Sequence, residues 1–213
     1  MTAPDTLLPY PPEPVTLRGE VVELRPLTGD DAPGLARAVD DGRLWELWYT
    51  AVPPPDAVPG WIEQALALQA RGAALPFAVV DRASGRIVGS TRYMNIETEL
   101  RRLEIGTTFY SASVQRGPLN TEAKLLLLTH AFERLGCVAV EFRTHFMNHQ
   151  SRQAIAKLGA KQDGILRQHR LLPDGTRRDT VVFSILDHEW PTVRRHLHFR
   201  LARLRAAAAD GAR

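Results

Sequence analysis

The sequence is poor in cysteine, in lysine and in long apolar runs. One cysteine, Cys137, in 213 residues excludes an intrachain disulfide framework, and its place in the apolar run Cys137-Val138-Ala139-Val140 reads as a buried strand position rather than a reactive thiol. Lysine supplies three of the 27 basic residues, so the net charge of +3 reflects an arginine bias spread along the chain; it suits a polyphosphate ligand as well as it suits nucleic acid. The apolar run Leu125–Leu128 falls far short of the roughly 20 residues of a bilayer span. The opening MTAPDTLLPYPPEP has no basic region followed by an apolar stretch, which points to a cytoplasmic protein without a membrane partner. Neither G-x-G-x-x-G nor G-x-x-x-x-G-K followed by Ser or Thr is present, which excludes the common nucleotide-binding loops, and no repeat period is visible.

What is present is the composition of a folded chain, 44% hydrophobic and 24% charged, with a length that suits one sizeable domain. The proline-rich residues 1–15 read as an extended arm, 16–190 as the domain, and 191–213 as an amphipathic helix and tail. VTLRGEVVELRPL alternates like one strand, and TGDDAPGLARAV and WIEQALALQARG follow with helical spacing. PFAVVD and RIVGSTRYMNI flank the turn Arg82-Ala83-Ser84-Gly85 and should pair as a hairpin, with LRRLEIGTTFY continuing the meander. NTEAKLLLLTHAFERLG reads as a helix apolar on most sides, with Asn120 or Thr121 as N-cap and Gly136 as its stop. A buried strand CVAVEFRTHF, a short helix NHQSRQAIAKLGA and a hairpin around Pro173-Asp174-Gly175 come next. In the tail helix Val193, Leu197, Leu201 and Leu204 form one stripe. This order predicts an α+β fold with a mixed, mostly antiparallel sheet and helices on both faces.

Three segments resemble the GCN5-related N-acetyltransferase superfamily, in its branch similar to ribosomal-protein N-terminal acetyltransferases. They are Leu103-Glu104-Ile105-Gly106 on a strand, Gln115 through Ala123 at a helix entry, and Asn148 through Gly159 on the next helix, and the likeness spans roughly Leu17 to Trp190. The resemblance implies acetyl-CoA as cosubstrate, no metal, and transfer of an acetyl group to a primary amine, with the acceptor undefined. Coenzyme A carries a pyrophosphate, and a helix N-terminus offers it unpaired N–H groups and a positive dipole end. By the resemblance, Gln115, Arg116, Gly117, Leu119, Asn120 and Thr121 form that site. Pro118 and Asn120 stand where the family has small residues, and proline has no N–H to offer. Thr107, Thr108 and Phe109 match the strand whose backbone meets the pantetheine arm.

Glu104 is the implied catalytic base, since attack on a thioester needs a neutral amine; Glu141 on the next strand is the reserve. Asn148 matches a residue that touches the cofactor arm, and Ser151 one that lies near its sulfur and meets the departing thiolate. The tyrosine acid of many relatives aligns with Ile155. Pro118, Asn120 and Ile155 together also fit a non-catalytic acyl-CoA-binding or regulatory module.

His145 and His149 have the i, i+4 spacing of a helical metal pair, but they straddle a strand-to-helix junction without HExxH or a cysteine cluster. The tail arginines Arg194, Arg195, Arg200, Arg203 and Arg205 read as a solvated face on a packing or homodimer helix before they read as a nucleic-acid surface. Trp45, Trp48, Tyr49 and Trp61 are candidates for an acceptor pocket or for plain packing.

Overall fold

In a computed structural model, which describes residues 7–172 and 174–211, the first predicted strand is interrupted. It forms β1 (Leu17–Arg18) and β2 (Val22–Pro26), joined by a tight turn. The cause lies a hundred residues away. The buried Glu122 carboxylate accepts the N–H groups of Glu20, Val21 and Val22 at 2.9, 2.7 and 2.9 Å, and Arg205 also donates to it. A Cβ on Gly19 would sit 2.4 Å from that carboxyl carbon, so the turn needs glycine there.

Two helices follow, α1 (Ala32–Asp40) and α2 (Val58–Ala70). The second starts three residues before Trp61 because Val58-Pro59 already has first-turn geometry, where proline's missing N–H costs nothing. The meander is β3 (Ala74–Asp81), β4 (Ile87–Glu97) and β5 (Arg102–Tyr110), antiparallel throughout. Then come α3 (Pro118–Thr129), β6 (Ala139–His145), α4 (His149–Ala156), β7 (Lys161–Leu171), β8 (Arg177–Leu186) and α5 (Trp190–Gly211). The tip of the last hairpin closes through Leu172 N–H to the Thr176 carbonyl at 2.8 Å; Pro173 lies outside the described residues, as do residues 1–6 of the predicted arm.

The predicted α+β class holds. Eight strands form one sheet in the order β1-β2-β3-β4-β5-β6-β8-β7, and β5 with β6 is its parallel pair. Leucines of α3 and the stripe Val193, Leu197 and Leu201 of α5 bury one face with Tyr93, Phe142 and Phe183. Leu35, Val39, Val58 and Ile62 of α1 and α2 cover the other, over Ala78 and Phe109. The α3 helix does not run evenly to its stop. Residues His130–Arg134 form a π-helical turn, where the buried Tyr93 hydroxyl donates to the Leu127 carbonyl at 2.7 Å and Leu135 N–H reaches back to His130 at 3.0 Å. The arm packs on the sheet end, with the Tyr10 hydroxyl donating to the Arg102 carbonyl at 2.6 Å.

Candidate active site

The parallel pairing of β5 and β6 runs from Arg102↔Ala139 to Glu104↔Glu141 and then stops, although both strands continue. Past that fork they part, and the parting leaves backbone N–H and C=O groups off the ladder. The register of β5 against β4 also jumps, from Arg92↔Gly106 to Ser90↔Phe109, so Thr107 and Thr108 bulge opposite the single residue Thr91. Thr107 has φ +48°, a costly conformation for a β-branched residue and one that concentrates at functional sites. A cleft of 790 Å³ opens along the fork.

The cleft gathers most of the predicted residues. Glu104, Thr107, Thr108, Phe109, Gln115, Arg116, Gly117, Asn120, Thr121, Asn148 and Ser151 all line it. Leu119 does not, because its side chain is 5% exposed in the core, which leaves only its backbone to face a ligand. The predicted N-cap, Asn120 or Thr121, is corrected by three or four residues: Gly117 caps α3 and Pro118 occupies the first helical position. A helix leaves its first four N–H groups unbonded, so proline at that position removes one donor while Gly117, Leu119 and Asn120 keep theirs. Gln115 spends its side-chain N–H on the Tyr110 carbonyl at 2.8 Å, which fixes the loop onto the end of β5. Ser111 and Ala112 tie the same loop to α1 through the carbonyls of Ala38 and Asp41.

Glu104 stands at the fork, 5% exposed. Asn95 donates to its Oε2 at 2.6 Å, and the Arg143 Nε lies 3.6 Å away. Burial lifts its pKa above the ordinary carboxylate value, against the opposing pull of Asn95, Arg143 and Arg170. A Cβ on Gly106 would meet the Glu104 carboxylate and the Met94 sulfur, each at 2.8 Å, so glycine in the LEIG strand makes room for the acid. Glu141, the reserve base, is held by Arg102 and Arg143 and does not line the cleft.

Asn148 caps α4 by accepting the Ser151 N–H at 3.0 Å. The His145 Nδ1 accepts the Met147 N–H at 3.0 Å, and the ring meets Trp48 edge-on at 5.1 Å; burial lowers the His145 pKa. Among the described residues no three His, Cys, Asp or Glu side chains converge as a metal site. Trp61 packs on Phe109 and beneath Arg92, Trp45 packs beside the smaller core, Trp48 stays 60% exposed, and Tyr49 lines the cleft.

A family model described as an acetyltransferase (GNAT) domain matches residues 22–161. The chain belongs to the GNAT acetyltransferase family. A GCN5-related N-acetyltransferase from Brucella melitensis is similar at 31% identity and a TM-score of 0.80, over 89% of this chain and 86% of that one. RimJ of Mycobacterium smegmatis, solved in complex with CoA-disulfide, is similar at 25% identity and a TM-score of 0.73, over 90% and 95%. The ribosomal-protein-S5-alanine acetyltransferase of Vibrio fischeri, at 19% identity and a TM-score of 0.67 over 83% and 98%, shares the fold. No curated protein matches the chain. The enzyme is thus an N-acetyltransferase of a family that draws on acetyl-CoA.

The residues present fit that cosubstrate. Seven cationic side chains line the cleft of this GNAT domain, Arg116, Lys124, Arg143, Lys157, Arg170, Arg178 and Arg200, against the single carboxylate of Glu104 among the described residues. That imbalance favours anions in general, and Arg116 is the cation that adjoins the first turn of α3, where phosphates would lie. Five of these cations, Lys124, Arg143, Lys157, Arg170 and Arg178, carry no expectation from the sequence. Lys124, 6% exposed, donates to the Thr108 hydroxyl at 2.9 Å and lies 3.4 Å from that of Thr91, and burial brings its pKa down to about 7. Arg170 and Arg178 face each other across β7 and β8. No sequence signal marks either the arginine pair, which depends on an irregular register, or Lys124.

Proposed function

We propose that this chain transfers an acetyl group from acetyl-CoA to a primary amine by direct attack in a ternary complex, with Glu104 as the base. The observation that carries the reading is the placement of a buried carboxylate of raised pKa at the fork of β5 and β6, in a cleft whose other charged side chains among the described residues are cationic. Acetyl-CoA, when bound, supplies an activated thioester carbonyl. Gly117, Leu119 and Asn120 would hold its phosphates through the first turn of α3, with Arg116 beside them. The parted edge of β5 would take the pantetheine amides, with Asn148 and Ser151 on the opposite wall.

Glu104 takes the proton of the incoming ammonium, directly or through one water, and frees the lone pair. The demand is modest for an α-amine, with a pKa of about 8, and heavier for a lysine amine near 10.4. Backbone groups of the Thr107–Thr108 bulge, off the β4 ladder, donate to the charge that develops on the carbonyl oxygen. The N–C bond forms as the C–S bond breaks, the nitrogen gives up its second excess proton to the departing thiolate, which Ser151 hydrogen-bonds, and the proton held by Glu104 passes to solvent. Ile155 lines the cleft and has no proton to give.

The test is a thiol-release screen with acetyl-CoA against peptide N-termini, aminoglycosides, polyamines and amino acids. Amine-dependent release of free thiol with one class is the expected result. Tight coenzyme A binding by calorimetry without turnover on any class would overturn the catalytic reading.

A further inference from the structure

On β6 the side chains alternate between faces. Val140 and Phe142 enter the core under α3, so Glu141, Arg143 and His145 project to the other face. Parallel register puts Glu104 beside Glu141 on that face. Thr180 of β8 pairs with His145, and Arg178, two residues before it, shares the face. The β7 register then jumps from Leu166↔Thr180 to Arg170↔Arg178, an irregularity whose result is two arginines directly opposite each other. Like charges in that position destabilise a strand pair. Arg178 is half-buried, its Nε bonds only the Thr180 hydroxyl at 3.2 Å, and neither arginine has a carboxylate ion-pair partner among the described residues. Both residues line the cleft that also holds Glu104, Arg170 from an exposed position.

Two unneutralised arginines set opposite each other beside the base are a built receptor for an anion. They stand on the face from which an amine would approach Glu104, away from the α3 entry that suits the cofactor phosphates. We infer that the acceptor amine carries a carboxylate, which Arg170 and Arg178 grip while its amino group is presented to Glu104. A planar guanidinium pair matches a carboxylate in a forked geometry that a polyamine or aminoglycoside cannot use. The same cations repel polycationic acceptors from the cleft. This inference rests on the acetyl-transfer reading for its chemistry, but the anion site itself does not depend on turnover.

The experiment uses the full chain loaded with coenzyme A. Calorimetry compares amino acids with their decarboxylated amines, and thiol release with acetyl-CoA is measured on the same panel. A second arm sets free glutamate against an amidated peptide with N-terminal alanine followed by glutamate, which separates a free amino acid from an acidic protein N-terminus as the source of the carboxylate. The carboxylated member of each pair is expected to bind and turn over at least about tenfold better, the scale of one charge-assisted contact.

In Arg178→Gln and Arg170→Gln that advantage should collapse through KM with kcat little changed, while Arg178→Lys restores part of it. Coenzyme A affinity reports that each variant is folded. Carboxylate binding that is lost in the variants, in a protein without turnover, supports the anion site and sinks the acetyl-transfer reading. Turnover with no preference for carboxylated amines, or faster turnover of polyamines, overturns the inference and leaves acetyl transfer standing.

Discussion

Replacing Lys124 with methionine should stabilise the protein at neutral pH and flatten its pH dependence. Lys124 enters from α3 beneath the β5 bulge, with two threonine hydroxyls as its hydrogen-bond partners and no carboxylate within ion-pair distance among the described residues. Burial lowers its pKa from 10.5 to about 7 in the folded protein. At about 1.4 kcal/mol per pKa unit, keeping this group in the fold costs up to about 5 kcal/mol at pH 7 relative to the unfolded chain, where it is protonated. The sign follows from the depressed value. Between pH 7 and 10 the unfolded state binds more protons than the native state, so the wild type gains stability as pH rises, by close to 1.4 kcal/mol per unit. Below pH 7 both states are protonated and the penalty no longer grows.

Methionine has similar length and no charge, and the Thr91 and Thr108 hydroxyls still bond each other at 2.7 Å, so no buried partner is stranded. Urea denaturation at pH 7.0 and at pH 9.0 should show Lys124→Met more stable by about 2 kcal/mol or more at the lower pH, with the gap closing at the higher. Parallel pH profiles for the two proteins, or a variant less stable at pH 7.0, would refute the reasoning.

Three further outcomes are expected. Gly106→Ala forces a methyl group against the Glu104 carboxylate and the Met94 sulfur, both movable side-chain ends, so kcat should fall about tenfold or more while the melting temperature moves little. Glu122→Ala strands the N–H groups of Glu20, Val21 and Val22 and leaves Arg205 with Glu20 alone as its carboxylate partner, and a loss of about 3 kcal/mol in urea denaturation checks it. Because burial raises the Glu104 pKa and a base must be ionised, the acidic limb of kcat/KM should lie above the ordinary glutamate value of about 4.3, and a limb at or below that value would remove Glu104 from the role.

Local signals carried the parts of the fold that neighbours decide. The turn Arg82–Gly85, the LEIG strand and the apolar stripe of α5 were all legible from spacing and turn chemistry. Features set by distant partners were not. The break between β1 and β2 depends on Glu122, about a hundred residues on, and the π turn after Thr129 depends on the Tyr93 hydroxyl from a strand. Pro118 is a lost phosphate donor, as its missing N–H requires, but its place at the first helical position starts the helix earlier than Asn120. Lys124 sits among Ala123 and the leucines of an apolar helix, where spacing alone cannot tell a buried amine from a solvated one. Arg170 and Arg178 become a pair only through an irregular register that alternation does not predict.

Cofactor capture and proton abstraction separate cleanly in one variant. In Glu104→Gln the cleft keeps its shape and its cations, so acetyl-CoA affinity by calorimetry should stay within about twofold of wild type, while kcat with a competent amine falls by about a hundredfold or more. Undiminished kcat in that variant at pH 7 would contradict the assignment of Glu104 as the base.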